Sequence, residues 1–190
     1  MEFKIDLVRL HWIEMPLVHF FETSFGRTYS RQMILVEAVS GGVSGWGEVT
    51  CGEHPFYNEE WTGGAWQLLR DYIVPATLGK TLDSAAAAGS ITRGMKGHRM
   101  ARAGMENACW DLEARLAGVP LWKLIGGGAR TEIPCGVSIG IQDSVAQLLD
   151  KIRLEVEAGY QRIKMKIKPG WDLDAIRAVR AEFPSILLMA

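Results

Sequence analysis

The sequence predicts an α+β region, an antiparallel meander plus helices, followed by the first strand–helix units of a parallel α/β array. Three observations carry this. The first fifty residues hold apolar runs separated by short glycine-bearing spacers, the pattern of a meander. From about residue 59 the apolar spacing lengthens to that of helices. From residue 134 strand and helix patterns alternate, with strand-to-strand intervals of about 27 and 23 residues, as parallel strands joined by helical crossovers require.

In chain order, Phe3, Ile5, Leu7 and Arg9 alternate with their neighbours as a first strand. MPLVHFFETSFGRTYS follows and reads as a long structured connection, a class of segment usually functional or disordered. Met33 to Val39 is a second strand, and GGVSGWGEV is a glycine turn with a short strand after it. Trp61, Ala65, Leu68, Leu69 and Tyr72 fit a helix ended near Pro75. Asp83 to Arg93, rich in alanine, is another. Ala101, Met105, Ala108, Leu112 and Leu116 give the clearest helix, with Gly118 at its C-terminal cap. PCGVSIGI is the next strand. Asp143 or Ser144 caps a helix with Val145, Leu148, Leu149, Ile152 and Val156 on one face, closed by Gly159. RIKMKIK is the second parallel strand. Asp172 caps a helix carrying Ile176, Val179 and Phe183, Pro184 stops it, and SILLMA opens a third strand. A buried parallel strand needs neighbours on both sides, so the expectation is a truncated chain.

The 190 residues are 48% hydrophobic and 23% charged, a globular composition. A net charge of -1 gives no reason to expect nucleic acid or an anionic membrane as partner. No apolar run is long enough to span a bilayer. MEFKIDLVRLHW is too charged for a signal peptide. Cys51, Cys109 and Cys135 are odd in number and in no metal spacing, and read as reduced thiols of a cytoplasmic protein.

GYQRIKMKIKPGWD places Lys164, Lys166 and Lys168 on one strand face and Ile163, Met165 and Ile167 on the other. Ammonium groups are almost never fully buried unpaired. The plain reading is an edge strand with a solvated lysine face, which also resists aggregation. The other is a row lining a polar cavity, where neighbouring cations and partial desolvation lower a lysine's pKa and let it act as a base. Pro169-Gly170 ends the strand at once, so the row sits at the strand's C-terminal end, where α/β barrels carry their active sites. Position and residue type together favour the second reading.

KMK followed by IKPGWD, after CGVSIGI and EAGY, resembles the enolase superfamily, and within it the o-succinylbenzoate synthase and N-acylamino acid racemase family. TSFG, GWGEV and KGHRMARAGMENACWDLEARLAG occur in the expected order, so the resemblance runs over essentially the whole chain. It implies a capping domain at 1–130 and the start of a (β/α) TIM barrel at 131–190, cut in the third strand. Lys166 is then the general acid/base, and Lys164 orients the reacting carboxylate and makes its neighbour the better base. Lys168, beyond the motif, is an exposed strand end. Ser138 touches substrate or fills the barrel interior, with Gly136 and Gly140 leaving room around it. Phe21, Thr23, Ser24 and Phe25 lie in a loop that closes over substrate, and Gly52, Glu53, His54 and Phe56 in a second loop, of which Gly52 and His54 are candidate substrate contacts. His98 caps or packs rather than ligates. Glu106, Asp111 and Glu113 default to a solvated or salt-bridged helix face.

The resemblance implies a cytoplasmic lyase or racemase abstracting a proton α to a carboxylate. It either dehydrates toward o-succinylbenzoate in menaquinone biosynthesis or racemises an N-acylamino acid. It implies Mg²⁺ or Mn²⁺ with ligands outside this chain, a small-molecule carboxylate substrate, and a homo-oligomer at full length. Dipeptide epimerase and muconate cycloisomerase are alternatives within the superfamily. A non-catalytic phosphate or nucleic-acid binding module is the alternative from another class, opposed by the net charge. The 190 residues alone are expected to be inactive.

Overall fold

The computed structural model describes residues 1–128 and 130–190. Its strands are β1 (Phe3–Lys4), β2 (Leu7–Thr23), β3 (Gly26–Ser40), β4 (Val43–Val49), β5 (Thr81–Leu82), β6 (Gly136–Ile139), β7 (Arg162–Met165) and β8 (Leu187–Met189). Its α-helices are α1 (Thr62–Leu68), α2 (Val74–Thr77), α3 (Ala86–Ile91), α4 (Arg99–Leu116), α5 (Leu121–Leu124), α6 (Val145–Glu157) and α7 (Leu173–Glu182). Two compact units result: Met1–Met15 with Arg31–Ala129, and Pro16–Ser30 with Arg130–Ala190.

In the first unit, Phe3 and Ile5 are buried, but the alternation breaks after Ile5. Leu7 is 39% exposed, while Val8 and Leu10 pack on the core. β1 pairs with β5 rather than continuing into β2. Asp6 marks the slip: its amide donates to the Val39 carbonyl at 2.8 Å and its carboxylate accepts the Gly41 amide at 2.8 Å. A one-residue step exchanges the two faces of a strand. β3 and β4 meet through the two-residue turn Gly41-Gly42, both at positive φ, with Ser40 opposite Val43.

The stretch Pro16 to Ser30 is not a loop. It forms the outer part of β2 and β3, joined by the two-residue turn Ser24-Phe25. The Thr23 hydroxyl accepts the Phe25 amide at 3.2 Å, and Gly26 takes φ 149°. Pro16 is tolerated because β2 is the edge of the β2-β3-β4 sheet. Val18 and Tyr29 are 92% and 64% exposed, so this part of the hairpin shows no clean alternation.

The helix beginning at Thr62 runs through Pro75. Leu69–Ile73 is a π-helical stretch, and Pro75 stands at the start of the α turn that follows it. The wider π-helical turn before it accommodates the proline, whose nitrogen has no hydrogen to donate. The buried row is Ala65, Leu69 and Ile73, leaving Tyr72 62% exposed. α4 buries Ala101, Met105, Ala108 and Leu112 as expected. Its end is a Schellman motif: the Val119 amide bonds to the Ala114 carbonyl at 3.0 Å, with Gly118 at φ 65°. At the other end His98 occupies the cap position, but the cap is Glu60, whose carboxylate accepts the Met100 and Ala101 amides. On the same helix Asp111 pairs with Arg115 at 2.8 Å. Glu113 is not solvated: it is 5% exposed and holds the Ala85 amide at 2.7 Å and the Met1 amine at 2.9 Å.

Cys51 and Cys109 are buried and Cys135 is exposed. Burial pushes the Cys109 thiol up to about 12, with Glu106 adding to the effect, and burial raises Cys51 in the same direction. Thiolate is the reactive form, so iodoacetamide at pH 8 is expected to label Cys135 alone in the folded protein. Equal labelling of Cys109, read by peptide mass, would contradict this packing.

In the second unit β6, β7 and β8 form a parallel sheet in that order. Ile139, Ile163 and Met165 pack under α6 and α7 against Leu148, Ile152, Ala175 and Val179. Ser144 caps α6 by accepting the Gln147 amide, Gly159 closes it at φ 98°, and Asp172 caps α7. No helix among the described residues is long and apolar enough to cross a membrane.

Candidate functional site

The lysine row sits where the parallel sheet runs out. β7 ends at Met165, but the Lys166 amide still donates to the Ile139 carbonyl at 2.9 Å, so the ladder reaches one residue further. Ser138 is the register partner of Lys164, and Met189 flanks Lys164 on the other side. Neighbours in register share a face. That face is uncovered: Ser138 and Lys164 are exposed and Met189 is 44% exposed. The opposite face holds Ile163 and Met165, both 0% exposed. Ile167, past the strand end, is 36% exposed and does not continue the buried row. Among the described residues neither Lys164 nor Lys166 has a carboxylate within ion-pair reach.

Lys168 is different. Its Nζ donates to Glu22 Oε1 at 2.7 Å, so it is an ion-paired residue rather than a free strand end. Its backbone is fixed by the turn Lys168-Pro169-Gly170-Trp171, closed by the Trp171 amide on the Lys168 carbonyl at 2.8 Å with Gly170 at φ 78°. Proline second and a positive-φ glycine third define a type II turn.

Glu22 also accepts Arg27 Nε at 2.7 Å, and Arg27 reaches Asp143 Oδ1 at 2.6 Å. The Glu22 carbonyl accepts the Ile141 amide at 3.1 Å. The hairpin tip is therefore seated on the end of β6. Gly140 serves this packing, and Gly136 packs against Arg162 of β7 instead of leaving room. A Cβ at Gly140 would stand 3.0 Å from the Glu22 nitrogen, and one at Gly136 would meet Arg162 Nε at 2.7 Å. Phe21 lies against Gly140, Thr23 organises the turn, Ser24 is exposed and Phe25 is 78% exposed. The sequence reading passed over Glu22 and Arg27. Both are lone charges in an aromatic-rich stretch, with no spacing that marks them.

The Lys168 hydrogen bond first, and that of Arg27 second, hold the Glu22 carboxyl below the usual carboxylate range against the opposing effect of desolvation. A carboxyl lowered in the folded state contributes stability above its ordinary value and loses it as pH falls through the folded one. Tip amides from residue 20 to 27 are thus expected to lose protection below about pH 4, ahead of those in α4. Hydrogen exchange corrected for intrinsic rates measures this; full tip protection at pH 3 would contradict it.

A groove of about 500 Å³ runs along the open edge of β6, lined by His19, Phe21, Ser138, Gln147 and Lys151 among others. It includes Ser138 but neither lysine of the KMK motif. The two lysines therefore lie outside this groove. Gly52 and His54 lie in the first unit. The Gly52 carbonyl accepts the Thr62 amide at 2.9 Å, and His54 stacks near Phe56 with centroids 5.8 Å apart. Among the described residues no three His, Cys, Asp or Glu side chains converge to hold a metal ion, so those present do not fit a divalent-metal site.

The chain has counterparts among known proteins. An o-succinylbenzoate synthase from Geobacillus stearothermophilus is 44% identical over 191 residues, covering 100% of this chain and 51% of that protein. An N-succinylamino acid racemase from Amycolatopsis sp is 41% identical over 186 residues, covering 98% of this chain and 50% of that protein. The crystal structure of an enolase-superfamily member from Listeria innocua Clip11262 matches with a TM-score of 0.89 at 33% identity, covering 99% of this chain and 51% of that one. The chain spans about half the length of the curated relatives it matches. The N-terminal domain description of mandelate racemase / muconate lactonizing enzyme fits residues 7–126. The chain belongs to the mandelate racemase / muconate lactonizing enzyme family of the enolase superfamily.

Proposed function

We propose that this chain forms the N-terminal half of an enzyme that abstracts a proton α to a carboxylate, as an o-succinylbenzoate synthase, an N-acylamino acid racemase, or both. One observation carries the reading. Lys164, exposed, and Lys166, half-buried, stand at alternate positions at the C-terminal end of a parallel strand, and among the described residues neither has a carboxylate within ion-pair reach. An ammonium there attracts a substrate carboxylate, and a neighbouring lysine in its amine form can accept a proton. Lys166 Nζ takes the α-proton, and Lys164 holds the carboxylate. Ser138, in register with Lys164, contacts substrate on the same face. Phe21, Thr23, Ser24 and Phe25 supply substrate contacts from the hairpin tip. Gly52 and His54 keep their role on the resemblance alone.

Names of the relatives support both activities, one a synthase and one a racemase. The shared first step explains how one lysine pair serves either outcome. Enolase-superfamily enzymes generally use Mg²⁺; the reading takes Mg²⁺ or Mn²⁺, with ligands outside these 190 residues. It takes a domain division at 1–130 and 131–190, a cytoplasmic setting suited to three unpaired thiols, and a homo-oligomer.

The test is deuterium exchange at the α-carbon of an N-succinylamino acid in D₂O, catalysed by the full-length protein with Mg²⁺. Exchange with loss of optical purity assigns the racemase, and elimination from the o-succinylbenzoate precursor assigns the synthase. No exchange with either substrate would refute the reading. The 190 residues alone are expected to show no turnover; turnover by them would refute the half-enzyme part.

A further inference from the structure

Four charged groups join the hairpin tip to the ends of β6 and β7, and the proposed proton transfer uses none of them. The Glu22 side chain is 10% exposed. Its Oε1 takes Lys168 Nζ at 2.7 Å, and its Oε2 takes Arg27 Nε at 2.7 Å and Nη2 at 2.5 Å. Arg27 then bridges to Asp143 at 2.6 Å, and its guanidinium lies over the Phe20 ring at 3.9 Å from the centroid. Each donor is held in place. Lys168 comes from a closed type II turn, Arg27 is stacked, and the Glu22 backbone is bonded to Ile141. A carboxylate this sheltered needs its charge partners. The two loops tied down, after β6 and after β7, are the loops at the C-terminal ends of the strands that carry Ser138 and the KMK lysines.

We propose that Glu22 and Lys168 are a positioning pair. They hold the hairpin tip, with Phe21 and Thr23, at the C-terminal ends of β6 and β7. They also withdraw the third ammonium from the lysine row, so that an anionic substrate meets Lys164 and Lys166 only. Neither residue touches the reacting atoms. The substrate-binding consequence rests on the function proposed above; the structural one does not.

The experiment compares Glu22→Gln, Lys168→Met, the double variant and Lys168→Arg in the full-length protein. Hydrogen exchange of residues 20 to 27 is expected to rise roughly tenfold in each single removal. The double variant is expected to show no further rise over Glu22→Gln, because that change already breaks the Lys168 pair along with the Arg27 one. Lys168→Arg keeps the charge and should restore most of the protection. Exchange in α6 and α7, which belong to the same unit, stays unchanged, which controls for folding. KM is expected to rise about tenfold with kcat altered less than about threefold, as for a group that shapes binding rather than the chemical step. Tip exchange within twofold of the parent in Lys168→Met would overturn the pair, and would leave Arg27 as what holds Glu22. Raised tip exchange with KM unchanged would overturn the positioning role. If the parent enzyme exchanges no α-proton, the proposed function fails, and the hydrogen-exchange arm still decides the pair.

Discussion

Replacing Lys166 with Met in the full-length protein is expected to lower α-proton exchange by about 10³-fold, within the range that a positioned general base contributes. The Met side chain is nearly isosteric, so what disappears is the amine. Lys166 is half-buried, and its amide is pinned to Ile139 at 2.9 Å, so the direction of its side chain is set by the sheet. Melting temperature should therefore hardly change. Lys164→Met should raise KM as well as lower kcat, since that residue is assigned to the carboxylate. Lys168→Met should spare the chemical step. Measured single-turnover rates for the three variants separate the row. If Lys166→Met retained exchange within tenfold of the parent, another group would have to be the base.

Gly47→Ala should destabilise the first unit by roughly 3 kcal/mol or more, at the upper end of overpacking costs. A Cβ at Gly47 would come to 2.0 Å of the Gly104 carbonyl oxygen and 2.7 Å of the Ala108 nitrogen. The obstacle is backbone, which cannot rotate away as a flexible side chain can. Gly45 faces the same helix, with 2.3 Å to the Leu112 nitrogen, and Gly104 returns the contact onto Val49. The three glycines let α4 lie directly on β4. Gly42→Ala, in an open turn at φ 82°, should cost less, because only backbone strain is involved. Urea denaturation of both variants checks the order. A Gly47→Ala protein as stable as the parent would mean that α4 can lift from the sheet.

The legible parts of the fold were those with one buried face. α4 showed its period because Ala101, Met105, Ala108 and Leu112 are all buried, and α6 because Leu148 and Ile152 are. The hairpin from Pro16 to Ser30 was misread because its outer strands bury no continuous face, and a strand without one has no period of two to show. The helix ends at Thr77, close to Pro75 as the sequence predicts, but a π-helical stretch before the proline shifts the buried row from Tyr72 to Ile73. The break after Ile5 escaped because its cause, the Asp6 carboxylate on the Gly41 amide, lies 35 residues away in the chain.

By itself the sequence determined the strand–helix–strand–helix–strand order of the second unit and the two faces of β7, because each follows from side-chain alternation or from caps within a few residues. Only the tertiary structure decided which lysine is spoken for. Glu22 and Lys168 are 146 residues apart, and a charge pair between two strand ends leaves no mark on local periodicity. Ion pairing of this kind depends on a few ångströms of approach, which here the glycine at 140 permits and the turn at 168–171 fixes.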